Sequence, residues 1–217
     1  MFNFILPIAA LALSYVAFFR EADAKEIPAN SGRMGKLYSK YGQLLETESK
    51  RLGITVSTCA AVLAVESSGN PFGSDGRLII RFEDHVFRDR SGDKSFYASN
   101  GNQSNEYEVL ELARQINENA AFESISMGMA QIMGFNYKLV GFDSAKEMFE
   151  SFQYSDINQV IAFFRFIEFY KGGKLLTAAQ TDDFSTFATY YNGPAHKNYD
   201  TKMISAKKEF ISKLGFE

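Results

Sequence analysis

The sequence predicts a mainly α-helical protein with one small β element, and three observations carry that expectation. Only 4 prolines interrupt the 217 residues, so few positions forbid a helix. Apolar residues recur at three- and four-residue steps over most of the chain, the spacing of one helix face. A single short run, Leu78-Ile79-Ile80 with Phe82, is β-branched and aromatic and follows a cluster of turn residues, which reads as a strand or hairpin. With 46% hydrophobic and 23% charged residues, the chain is neither disordered, collagen-like nor a polytopic membrane protein.

The elements follow in order. From Phe2 to Phe19 there are 18 residues without a charge, and Arg20, Glu21, Asp23, Lys25 and Glu26 come next. About 20 apolar residues span a bilayer, so residues 1–24 read as an N-terminal hydrophobic helix serving as signal peptide or signal anchor. Ala22-Asp23-Ala24 has the small-x-small pattern of a cleavage site, and cleavage and anchoring both stay open, as does a buried first helix of the fold. Residues 25–33, with Pro28, Asn30, Ser31 and Gly32, read as a linker, and 34–217 as one domain.

Leu37, Tyr41, Leu44 and Leu45 predict an amphipathic helix over 34–52 that stops at Gly53. The segment 56–65 is apolar nearly all round, which predicts a buried central helix capped by Thr55 or Ser57, with Cys59 as a core residue. Residues 93–106 are rich in Gly, Asn and Ser and read as a long surface loop. Helical patterns resume over 107–119, 127–140, 145–152, 156–170 and 184–191, and a last helix over 199–214 stops at Gly215. The Phe-rich run Phe163, Phe164, Phe166, Phe169 reads as packing.

A net charge of −3 supplies no basic field for nucleic acid. One cysteine excludes an internal disulfide framework, and two histidines leave no His/Cys metal cage, so neither metal nor cofactor is expected.

Glu66 is the first residue that packing handles badly. A lone carboxylate in the last turn of an apolar helix faces a low-dielectric wall and the negative end of the helix dipole. Burial raises a carboxyl pKa, and a carboxylic acid still protonated near neutrality can give its proton to a leaving oxygen. Two more passages stand out: Ser126-Met127-Gly128-Met129-Ala130-Gln131-Ile132-Met133 and Tyr190-Tyr191-Asn192-Gly193.

Together these motifs carry a resemblance. A Glu66-Ser67-Ser68-Gly69 helix end, the S-x-G-x-x-Q-I-M stretch read as a helix start, and a late Y-N-G resemble the three signatures of goose-type lysozymes and soluble lytic transglycosylases. With D-G-R-L-I-I-R-F-E-D-H-V-F from Asp75 to Phe87 added, residues 55–200 are similar to the N-acetylmuramidase domain of bacteriophage endolysins. The resemblance implies a lysozyme-like fold, mainly α with a small β-hairpin, lining a peptidoglycan cleft. It implies hydrolysis of the β-1,4 bond after N-acetylmuramic acid. It places Glu66 as the catalytic acid, and Gln131, Tyr191 and Asn192 around it as substrate-binding positions.

For a second carboxylate, Glu83 is favoured over Asp75, because Asp75 in a Ser-Asp-Gly turn has ordinary turn chemistry. His85 reads either as a side chain holding Glu83 or as a buried histidine, and His196 as a solvated loop residue. Arg77 and Arg81 read as carboxylate partners or as contacts for the substrate's acids. With no Trp, Phe82, Phe135 or Tyr137 would supply any stacking platform. The leading reading is thus a monomeric peptidoglycan muramidase of phage or prophage type, exported to act on glycan strands and causing lysis. It would be tethered to the inner membrane, periplasmic or secreted, and a releasable anchor would hold it until the membrane depolarises. A lytic transglycosylase using the same Glu66, and an inactive wall-binding module on a lysozyme fold, are the alternatives.

Overall fold

The computed structural model describes residues 27–66, 70–98, 101–194 and 197–217. The uncharged run 2–19, and with it the expected signal or anchor, lies outside the described residues, as do Ser67 to Gly69 and His196. Among the described residues no helix is long and apolar enough to cross a membrane. Where the sequence reading has one domain, the chain divides into two compact units, one formed by residues 70–163 and the other by 27–66 with 164–217.

The second of these is helical. Helix α1 (Gly32–Leu52) buries Leu37, Tyr41, Leu44 and Leu45 on one face, carries Lys50 and Arg51 in its last turn and ends on Gly53 in the left-handed conformation, so cations sit where the dipole favours them. It begins at Gly32, so Gly32 and Arg33 belong to the helix and not to the expected linker. Helix α2 (Val56–Glu66) is capped by Thr55, whose hydroxyl oxygen accepts from the Thr58 N–H at 3.2 Å. Cys59, Val62 and Leu63 are fully buried, and burying a Val or Leu side chain stabilises the fold by about 1.5–3 kcal/mol each. The Cys59 sulfur accepts from the Ser49 hydroxyl at 3.3 Å, and burial pushes its thiol up to about 12, which suits a core residue.

Helix α2 packs against α1 and α11 (Tyr199–Leu214), and α10 (Phe184–Asn192) packs on α11 and on α9 (Lys174–Gln180), which follows the end of α8 (Asp156–Phe169). Helix α9 is not anticipated from the sequence. Lys207, nearly buried, draws together Asp182 at 2.7 Å, Glu217 at 2.6 Å and Thr55 at 3.2 Å, while Thr58 donates to the other Asp182 oxygen at 2.6 Å. This network ties the start of α2 to α11.

The 70–163 unit holds a three-stranded antiparallel sheet in the order β1 (Ile80–Phe82), β2 (Ile125–Met127), β3 (Ile132–Met133). Ile80 faces Met127 and Phe82 faces Ile125, and Met127 in turn faces Ile132. The expected strand is present over Ile80–Phe82; its partner β2 meets the segment expected to be a helix over 127–140 only at Met127, while β3, which pairs with β2, lies inside that segment. Of that stretch only α6 (Tyr137–Val140) is α-helical, after a 3₁₀ turn at Gly134–Asn136. The reason lies in the turn. Gly128 and Gln131 have φ of 74° and 48°, a conformation that no helix interior contains, and a Cβ at Gly128 would come within 2.6 Å of the Gln159 Oε1.

The free edge of β1 is closed by side chains of α4 (Gln103–Ile116). Gln103 accepts from the Ile80 N–H at 2.9 Å and donates to its carbonyl at 2.7 Å, and buried Glu106 accepts from the Phe82 N–H at 2.7 Å. The expected surface loop over 93–106 therefore gives its last four residues to a helix, capped by Asn102. Helices α3 (Asp84–Ser91) and α5 (Glu118–Glu123), neither anticipated, and α7 (Ala145–Tyr154) complete the unit with the first half of α8. Phe82, Phe87 and Phe96 cluster with ring centroids 4.6–5.8 Å apart.

Candidate active site

Glu66 ends α2 at the point where that helix leaves the core. Burial pushes its carboxyl from an ordinary 4.5 up to about 7, against the opposing effects of an Asn192 hydrogen bond and the Lys202 charge. Asn192, the last residue of α10, donates from Nδ2 to the Glu66 Oε1 at 3.0 Å. Its Oδ1 is buried and has no hydrogen-bond partner among the described residues.

One residue earlier, Tyr191 lies stacked on Phe187 with centroids 5.4 Å apart and an interplanar angle of 15°, and edge-on to Phe166 at 5.4 Å and 82°. Burial first, and the neighbouring Glu66 second, push its phenol well above 10, so the side chain stays a neutral O–H. The aromatic ring near the acid is thus Tyr191, backed by two phenylalanines, in a chain that has no Trp.

Three of the sequence-predicted site residues, Glu66, Tyr191 and Asn192, come together in one unit. Glu83, Asp75, His85 and Gln131 belong to the other, and each has local partners. Glu83 immediately precedes α3; its N–H donates to the Ser124 carbonyl at 2.8 Å, and its carboxylate pairs with the Arg81 Nε at 3.2 Å. His85 Nδ1 stands 3.7 Å from the second Glu83 oxygen, beyond hydrogen-bond length. Its side chain is 64% exposed, which corrects the buried-histidine alternative: at the first turn of α3 its ring points away from the core.

Asp75 accepts from the Arg77 N–H at 3.0 Å and Nε at 2.7 Å, and the Arg77 partnership holds its carboxyl below the usual carboxylate range. That is the turn chemistry expected of a Ser-Asp-Gly sequence. Gln131 spends its amide inside the hairpin: Oε1 accepts from the Ser126 hydroxyl at 3.0 Å and Nε2 donates to the Gly128 carbonyl at 2.8 Å. Phe82 is fully buried and is no platform, whereas Phe135 is 37% exposed with the Arg90 guanidinium 4.8 Å from its ring centre. Among the described residues no group of three or more His, Cys, Asp or Glu side chains stands together to hold a metal ion.

The sequence reading missed Lys202 and Phe187, which bear on Glu66 and Tyr191. Phe187 had a signal, lying four residues before Tyr191 on a predicted helix; Lys202, one of several lysines on α11, had none.

A model of the N-acetylmuramidase family matches residues 55–210, a span that contains Glu66 and the Tyr-Asn-Gly sequence. The chain belongs to the N-acetylmuramidase family. As a muramidase it is a glycoside hydrolase of peptidoglycan. The crystal structure of the Burkholderia AP3 phage endolysin has the same fold: it is similar with a TM-score of 0.71 and 24% sequence identity, over 94% of each chain. Comparison with curated protein sequences returns no significant match. The helical architecture with a small antiparallel sheet is therefore the lysozyme-like, endolysin-type fold that the resemblance implies.

Proposed function

We propose that the protein hydrolyses the β-1,4 bond between N-acetylmuramic acid and N-acetylglucosamine, with Glu66 as general acid. The observation that carries this reading is the Glu66 carboxyl itself, held at the end of an apolar helix with a pKa near 7 and an amide on one oxygen. Below that pH the group carries the proton that a glycosidic oxygen needs as its bond to the anomeric carbon breaks. The Asn192 amide offers an N–H to the carboxylate and a carbonyl to the carboxylic acid, so it serves both states of the group. Tyr191 closes the apolar side and keeps bulk water from lowering the pKa.

Glu83 is proposed as the second carboxylate, oriented by Arg81 with His85 beside it. Asp75 and Gln131 are proposed as sugar contacts that exchange a turn or hairpin hydrogen bond for one to substrate. The expected destination is the compartment holding the glycan strands, reached through residues 1–24, with phage-type lysis as the outcome; residues 34–217 are proposed to act as a monomer.

The test is digestion of purified peptidoglycan at pH 5–6 with mass spectrometry of the released muropeptides. Reducing ends are expected, with activity falling as pH rises through about 7. Glu66→Gln is expected to lower the rate by at least about 10²-fold. Anhydro ends would make the protein a transglycosylase, and undiminished cleavage by Glu66→Gln would remove Glu66 from the chemistry.

A further inference from the structure

A groove of about 330 Å³ beside α2 adjoins the site above and shares Lys202 with it. It is lined by Ala64 and Val65, by Thr201, Lys202 and Ser205 of α11, and by Arg33 of α1. At about 30 Å³ per water, it has room for roughly ten water molecules, which is enough for a short peptide end. Ala64 and Val65 are the residues just before Glu66 in α2, so a ligand seated in the groove lies next to the proposed acid.

The polar lining selects a chemistry. Arg33 is matched by Glu209, which it grips at 2.7 and 3.1 Å. Lys202 forms no ion pair among the described residues; its ammonium lies 5.1 Å from the Tyr199 ring centre. It is therefore the cation open to an incoming carboxylate. The two hydroxyls have already donated, Thr201 to the Asn198 carbonyl at 2.9 Å and Ser205 to the Thr201 carbonyl at 2.8 Å. Their oxygens keep lone pairs, so they receive N–H groups. A phosphate has no N–H to offer, and N-acetylmuramic acid with a free lactyl acid has one acetamido N–H for two hydroxyl oxygens. A peptide has both a carboxylate and amide N–H groups.

We propose that this groove is a subsite for the stem peptide of the substrate, with Lys202 taking a stem carboxylate and the Thr201 and Ser205 oxygens taking backbone N–H groups. The inference rests on the glycosidase reading and makes cleavage dependent on the peptide. The chain is tested at pH 5.5, where Glu66 is protonated with or without Lys202. The three substrates are peptidoglycan strands with intact stem peptides, the same strands with stem carboxylates converted to methylamides, and strands stripped of peptide to the free lactyl acid.

The parent is expected to show kcat/KM about tenfold higher on intact than on methylamide strands, the size of a hydrogen bond to a charged group. Stripped strands should be cut as slowly as the methylamides. Lys202→Met is expected to erase the preference and Lys202→Arg to keep it, with unchanged melting temperatures. Equal cleavage of all three substrates by the parent, or a preference that survives Lys202→Met, overturns the subsite while leaving the glycosidase reading intact. Fast cleavage of stripped strands overturns the peptide assignment, and cleavage of none overturns the reading beneath it.

Discussion

Glu66 illustrates how one residue joins stability to chemistry. Below about pH 4.5 its carboxyl is protonated in folded and unfolded chains alike, and its burial carries no ionic penalty. As pH rises from about 4.5 to about 7 the unfolded chain ionises while desolvation keeps the half-buried carboxyl protonated in the folded protein, and the stability present in acid is lost. Glu66→Gln has no such loss. The variant's stability relative to the parent is therefore expected to rise between pH 4 and pH 8, by up to roughly 3 kcal/mol at ~1.4 kcal/mol per pH unit, measured by chemical denaturation at both pH values. A constant difference would mean that the carboxyl titrates normally. The anomaly was visible in the sequence, because an acid in an apolar helix end has no structural merit. What its neighbours do was not visible: the buried Asn192 Oδ1 and the reach of the Lys202 charge depend on side-chain directions.

At the scale of elements, long periodic segments were legible and short ones were not. Helices α1, α10 and α11 were readable within two residues because nine or more positions vote on one period, and α2 because its run is apolar nearly all round. Strands β2 and β3 have three and two residues, too few for any period, and their apolar character imitated a helix. The loop over 93–106 was misread at its end for a different reason. Gln103 and Glu106 look solvated in sequence, yet they serve as hydrogen-bond partners for the edge of β1. Glu106→Ala removes the acceptor of the buried Phe82 N–H. It is expected to lower stability by about 1–3 kcal/mol in urea denaturation. A change near zero would mean that water reaches the strand edge.

For the whole molecule, function requires the catalytic part to meet its polymer outside the membrane that encloses its synthesis. The family match begins at residue 55, and the uncharged run 2–19 stands apart from it. Cells making the full chain with no other export route are expected to lyse, and cells making a chain without residues 1–24 to remain intact, read as culture turbidity. Lysis by the truncated chain would deny the segment its role in export.

Composition, helical period and four ordered motifs were enough to read off a helical fold and its family and to single out Glu66 as the proposed acid, since each is a property of residue types at fixed spacing along the chain. The pairing of a hairpin with Ile80–Phe82, the division into two units and the seating of Asn192 and Tyr191 against Glu66 came from folding in space. These contacts join residues up to 126 positions apart, and their geometry follows from packing, which no local pattern encodes.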